Sequence, residues 1–237
     1  MMINTKQRST APEIMDDFSM EGEILTDALD KIAAINKLLG GNKVTLEGVN
    51  YLIAKGKLDN NIKIIDVGCG NGAMLRMLAH YGLKKGLAFE LIGIDANKAT
   101  IAHAESLSTS YPNIKYQCSD IFSNDGQTES CDIMLFTLTL HHFTDQQIIT
   151  LFQKLKDVVQ SGIVVNDLHR SALAYRLFTA LSYVFKLNNM SREDGLVSIL
   201  RGFKRNDILA YEKQLSISSA YIKWKWAFRY LWIIRTK

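Results

Sequence analysis

The chain is short of the features that mark several protein classes. It has three cysteines in 237 residues, Cys69, Cys118 and Cys131. They form neither a close pair nor a metal-ligand spacing, which argues against a disulfide framework or a zinc knuckle and for reduced thiols. No apolar stretch reaches the ~20 residues of a spanning helix. The opening MMINTKQRSTAPEIMDD contains nothing resembling a secretion signal, so a cytoplasmic protein is expected. Charge of one sign is also scarce: the net +4 is too mild to suggest a nucleic-acid surface. Internal repeats and low-complexity tracts are absent. What remains, 47% hydrophobic and 22% charged residues, is the composition of a folded globular domain.

The pattern along the chain changes near residue 60. Residues 1–17 are polar and expected to be mobile. From Glu23 to Leu39 the apolar positions Leu25, Leu29, Ile32 and Ile35 fall at helical spacing, and Gly40-Gly41 ends the run. Thr45 is expected to cap a second helix carrying Leu46, Val49, Leu52 and Ile53. After Asn60 strands and helices alternate. Strands are expected at Ile62–Val67, Leu91–Ile94, Ile114–Gln117, Asp132–Thr137 and Gly162–Asn166, with helices between them. This order predicts a mostly parallel sheet with right-handed crossovers. Residues 170–187 and 206–214 read as helices, and 215–235 as a closing hairpin whose turn no Gly, Asn or Pro marks. In KWKWAFRYLWIIRTK the basic and aromatic residues alternate, which fits a strand solvated on one face better than a nucleic-acid or membrane surface.

The chemical signal is IIDVGCGNGAML, residues 64–75. A strand ends at Asp66; Gly68, Gly70 and Gly72 then allow a tight turn and close approach to a ligand, and the N–H groups of the next helix suit a carboxylate or phosphate. Asp95, with Ala96, follows the second strand, where a carboxylate can accept hydrogen bonds from a ribose diol. Asp120, beside Ile121, follows the third and can accept from an adenine amine. Each alone has a plain structural alternative as a turn or cap residue. Together they mark the carboxyl edge of a parallel sheet as an adenosine site. The glycines also satisfy the dinucleotide pattern, so a nicotinamide-dependent oxidoreductase is the competing reading. Against it, Asp66 would repel a pyrophosphate but suit an ammonium, and the alternation ends after the fifth strand.

With Asp66-x-Gly68-x-Gly70-x-Gly72, Asp95, Asp120 and CDIMLFTLTLHHF in this order, residues 60–168 resemble class I S-adenosylmethionine-dependent methyltransferases. The texture is most similar to the ubiquinone/menaquinone-biosynthesis group, and the flanks resemble a bacterial subgroup associated with polyketide or pigment biosynthesis. The resemblance implies a Rossmann-like α/β fold with seven strands in the order 3-2-1-4-5-7-6, the last antiparallel, and a helical extension or lid over 1–60 ahead of the methyltransferase domain at 61–237. It implies S-adenosyl-L-methionine as cofactor, with its methionine portion at Gly68–Gly72, its ribose at Asp95, its adenine at Asp120 and Ile121, and Thr137 and Leu138 beside the sulfonium.

The acceptor side is less defined. His141 and His142 follow the fourth strand and are candidate bases, with a structural pair as the alternative. Asn166, His169 and Arg170 follow the fifth strand and are candidate acceptor contacts; Asp167 reads as a cap for the next helix. No metal site is expected. Helix 170–187, apolar on more than one face, could roof an apolar acceptor pocket, or could serve ordinary packing or a dimer surface. The expectation is secondary metabolism: a small apolar or aromatic acceptor, methylated on oxygen ahead of carbon. A protein that binds S-adenosylmethionine without catalysis, and a homo-oligomer, both stay open.

Overall fold

The computed structural model describes residues 3–56, 61–123 and 129–236. The change of pattern at residue 60 therefore falls just outside it. Seven strands form one sheet: β1 (Asn61–Val67), β2 (Ala88–Asp95), β3 (Ile114–Cys118), β4 (Cys131–Thr137), β5 (Val159–Leu168), β6 (Ala220–Lys225) and β7 (Arg229–Arg235). Their order is β3-β2-β1-β4-β5-β7-β6, as expected. The first five run parallel, and β7 lies antiparallel between β5 and β6. The closing turn is Trp226-Ala227-Phe228, with Phe228 in the left-handed region at φ 55° in place of a glycine.

The central strands read as apolar runs because both faces of the sheet are covered. Successive residues supply opposite cores. Ile65, Val67, Met134, Phe136 and Val165 pack with α5 (Asp145–Val158) and α8 (Arg205–Gln214). Ile64, Leu91, Ile133, Leu135 and Val164 pack with α2 (Gly41–Lys55) and α3 (Ala73–Lys85). Helix α2 lies unusually close to the sheet: a Cβ on Gly48 would sit 2.4 Å from Val164 Cγ1. The remaining helices are α1 (Glu23–Leu38), α4 (Lys98–Leu107), α6 (Ala172–Val184) and α7 (Asn189–Arg201).

Several expectations are corrected. Residues 3–17 are fastened down: Arg8 donates to the carbonyls of His141, Phe143 and Arg201 and to Asp145, and the Ile14 and Met15 amides donate to Asp194 at 2.7 and 2.9 Å. Local polarity hid this, because the partners lie more than 100 residues away. Thr45 is no cap. Helix α2 starts at Gly41 after the left-handed Gly40, φ 75°, and Thr45 is buried in its interior. Helix α6 is shorter than 170–187, beginning after Ser171, which accepts from the Ala174 amide. Helix α7 was not foreseen, since SREDGLVSIL shows no clear apolar stripe; it is started by the Asn188 cap.

Candidate active site

A single cavity of about 870 Å³ runs along the carboxyl edge of the sheet. Its floor comes from the ends of β1, β2, β4 and β5. The residue 3–20 arm, α1, α6, α7 and the β6–β7 turn close it from above.

The glycine loop joins β1 to α3. Gly68 and Gly72 hold φ of 68° and 76°, and side chains there would collide with Thr139 and Tyr116 respectively. The Gly68 and Cys69 amides donate to the Ile94 carbonyl, which locks the loop to the tip of β2. Asp95 accepts from the Gly70 amide at 3.1 Å and from the Asn97 amide at 3.1 Å, and burial raises its pKa. Asp66 is buried beside it, and its Oδ1 has no hydrogen-bond partner. Burial, and then the neighbouring Asp95 charge, push the Asp66 carboxyl up to about 8. An unpartnered buried carboxyl oxygen on a cavity wall calls for a donor or a cation from the ligand. The ammonium of an amino acid fits that requirement, and a pyrophosphate does not.

Asp120 is exposed at the cavity rim and accepts from the Phe122 amide at 2.9 Å, while Ile121 and Phe122 line the wall next to it. Ala96 also faces the cavity, and Thr137 and Leu138 line it past β4. Thr137 Oγ1 meets Thr45 Oγ1 at 3.0 Å, and the Leu138 amide donates to Asn166 O at 2.9 Å. Helix α1 is tied over this half. Asp30 accepts from Asn71 at 2.8 Å and pairs with His103 at 2.9 Å, and Asn97 donates to the Met20 carbonyl at 2.7 Å.

The other half contains a cluster of titratable groups. His141 is buried, with Nδ1 2.7 Å from Asp167 Oδ1 and its amide donating to Asp167 Oδ2. Asp167 is therefore an orienting group for His141, and not the cap of α6 that the sequence suggested. Burial pushes the Asp167 carboxyl up, but the His141 contact outweighs it and the pKa falls below the ordinary value. His141 Nε2 has no hydrogen-bond partner and faces Glu13 Oε1, also unpartnered, at 3.7 Å. His142 Nδ1 lies 2.6 Å from Asp16, which also pairs with Arg201 at 2.6 Å. Ser198 donates to Glu13 Oε2 at 2.6 Å, and burial raises Glu13.

The remaining candidates divide. His169 lines the cavity, accepting from Trp224 Nε1 at 3.2 Å, with burial lowering its pKa. Gly72, Asn166 and Arg170 are not on the cavity wall. Asn166 donates to Gly41 O and Thr45, and Arg170 to Thr5 O, Gly202 O and Asp207. Glu13, Asp16, Asp194, Arg201 and Arg229 were missing from the sequence reading. The first two sit in a segment read as mobile, and no spacing links any of them to the histidines.

Comparison with known proteins agrees with this geometry. Residues 64–162 match a family model described as a methyltransferase domain. The fold is similar to the plantazolicin methyltransferase BpumL bound to a pentazolic desmethyl analogue and SAH, at 16% identity over 90% of each chain and a TM-score of 0.67. It is also similar to the magnesium protoporphyrin IX methyltransferase ChlM from Synechocystis PCC 6803 with bound SAH, at 15% identity over 83% of each chain and a TM-score of 0.56. The matched segment contains the whole glycine loop, Asp66, Asp95, Asp120 and both histidines. Residues 64–162 therefore carry a likeness to a methyltransferase domain, and the fold is shared with solved methyltransferases that bind SAH or SAM.

Proposed function

We propose that the protein methylates a small apolar or aromatic acceptor, on oxygen in preference to carbon. The observation that carries this reading is the division of one cavity along the strand order. The β1–β2–β3 side offers carboxylates and backbone amides, and the β4–β5–β7 side offers an apolar roof above a histidine pair. At about 870 Å³ the space is near the top of the ~300–1,000 Å³ range of ligand sites, which suits a cofactor together with a modest acceptor. The complexes of BpumL with small desmethyl analogues favour an acceptor of that kind. The finer likeness to ubiquinone/menaquinone and pigment-biosynthesis enzymes belongs to this proposal, as does a cytoplasmic setting. Among the described residues no helix is long and apolar enough to cross a membrane.

When bound, the cofactor supplies a methyl group activated by its sulfonium. The chain's residues do the rest. Asp66 takes the ammonium, the Gly68–Gly72 turn receives the methionine portion, Asp95 with Ala96 holds the ribose, and Asp120 with Ile121 the adenine. Thr137 and Leu138 stand beside the sulfur. Residues 1–60 serve as the roof-bearing extension of the domain at 61–237, with α1 and the arm excluding water so that acceptor and methyl can align; alignment alone can contribute ~7–11 kcal/mol. His141 and His142 lie at the acceptor end. Because Asp167 occupies Nδ1 of His141, Nε2 is the nitrogen left to take a proton from an acceptor hydroxyl.

Calorimetry with S-adenosylmethionine, SAH and NAD(H), followed by mass analysis of a phenol and enol panel, tests the reading. Methyl transfer to small hydroxylated aromatics that falls at least about hundredfold in His141→Asn agrees with it. Methyl transfer only to a peptide or an RNA would overturn it.

A further inference from the structure

Arg229 opens β7 and faces the acceptor half of the cavity. It is 3% exposed, yet its Nε and Nη1 have no hydrogen-bond partner, and no ion pair is formed by this guanidinium among the described residues. Its surroundings explain why nothing from the chain satisfies it. A Cβ on Gly41 would lie 2.8 Å from Arg229 Cζ and 1.8 Å from Asn36 Oδ1, so α2 can approach only because that residue is glycine. Asp167 is the one carboxylate that bears on it electrostatically, and that group is already committed to His141. Burial brings the Arg229 pKa down to about 10, which leaves the group charged at neutral pH.

A buried guanidinium without partners is among the costliest arrangements a fold can hold. It contrasts with the other buried arginines: Arg170 donates to three carbonyls and Asp207, and Arg201 to three carbonyls and Asp16. Those two are structural. Arg229 sits on the wall of the same cavity with its fork unused, and a planar fork matches a carboxylate in a two-point contact. Strand order sets its relation to the chemistry: β5 alone separates β7 from β4, whose end leads to Thr137 and His141. Trp226 and Phe228, from the β6–β7 turn, line the same cavity.

We infer that Arg229 is an anion-binding residue of the acceptor site, and that the acceptor is an aromatic or other apolar molecule carrying a carboxylate in addition to the group that is methylated. This rests on the methyltransferase reading for the location of the acceptor, but the binding of an anion at Arg229 can be measured without turnover. It narrows the acceptor class from apolar molecules in general to amphiphilic acids, with the acid directed toward β7 and the reacting hydroxyl toward β4.

The test uses the full-length protein saturated with SAH. Benzoate, salicylate and cinnamate are titrated calorimetrically against their neutral amides. The carboxylates are expected to bind at least about tenfold more tightly than the amides. Arg229→Met should remove that preference while leaving SAH affinity unchanged. The same variant should melt at an equal or higher temperature than the native protein without ligand, because it deletes a buried charge that the fold does not use. Arg229→Lys should retain part of the preference, since it keeps the charge and loses the fork. Failure of all three carboxylates to outbind their amides would overturn the inference, as would a preference that survives Arg229→Met. A marked loss of thermal stability in Arg229→Met with the preference intact would identify a structural arginine instead. Loss of SAH binding to the native protein would count against the methyltransferase reading itself, so the two failures are distinct.

Discussion

At the scale of single residues, Asp66 links cofactor binding to protons. Burial and the Asp95 charge raise its carboxyl to about 8, so at neutral pH it is largely protonated. A folded-state pKa above the unfolded one means that this group's contribution to stability is greatest in acid and is lost as pH rises from about 4 through 8. An ammonium partner reverses the preference. Binding of SAH at pH 7 should therefore release a proton, and the calorimetric enthalpy should differ between phosphate and Tris. In Asp66→Asn the buffer dependence should vanish and affinity should fall by about 1.5–3 kcal/mol. Asp95 makes a companion case. Its carboxylate holds the Gly70 and Asn97 amides, and Asp95→Ala should weaken SAH binding by a similar amount while the circular dichroism spectrum stays native. Unchanged affinity would remove Asp95 from the ribose site.

These acids could be read from the sequence because the chemistry of the cofactor half is local. Asp66 and Asp95 lie at the ends of apolar strands and Asp120 just past the more exposed β3, each next to a turn. The acceptor half offered no such pattern. Glu13 approaches His141 across 128 positions of chain, and Arg229 bears on Asp167 across 62, so only the folded sheet brings them together. His141 was legible as a candidate, but its orienting partner was taken for a helix cap, since Asp before a helical run fits both roles.

At the scale of elements, α2 was legible as a helix but not as a close-packed one. Gly48 looks like a weak point in a helical run, and its purpose appears only against Val164 and Leu231. Gly48→Ala should overpack this contact and cost about 1–3 kcal/mol. That loss should appear as a lower melting temperature, about 2–4 °C for each kcal/mol in a chain of this size. The N-terminal arm is the other element that propensity missed. Arg8 fastens it through three carbonyls on two separate segments and through Asp145, so Arg8→Ala should speed amide exchange over residues 3–17. SAH affinity should change little, because none of these contacts touches the glycine loop.

At the scale of the whole molecule, the roof and the floor of the cavity come from different stretches of the chain, and polar ties cross between them. Asp30 to Asn71 and Asn97 to Met20 cross from roof to loop on the cofactor side. SAH held beneath α1 should slow exchange in α1 and around Met20 far more than in α5 or α8, which pack on the opposite face. Equal protection of both faces would argue that the ligand sits elsewhere. The parallel part of the sheet was legible from the alternation of strands and helices and the closing hairpin from its period of two, while the strand order came from the family resemblance. What alternation could not convey was that Glu13, Met15, Asp16 and Phe18 belong to the same cavity.

That seating has a consequence for how the protein is made. The arm is synthesised well before the groups that receive it, Asp194, Ser198, Arg201 and Tyr211. The sheet through β5 can assemble while the arm waits in solvent, and the cavity wall bearing Glu13 and Asp16 can be finished only after Ser198 and Arg201 have emerged. A ribosome stalled before residue 194 would hold a nascent chain with its glycine loop already shaped and its acceptor end still open.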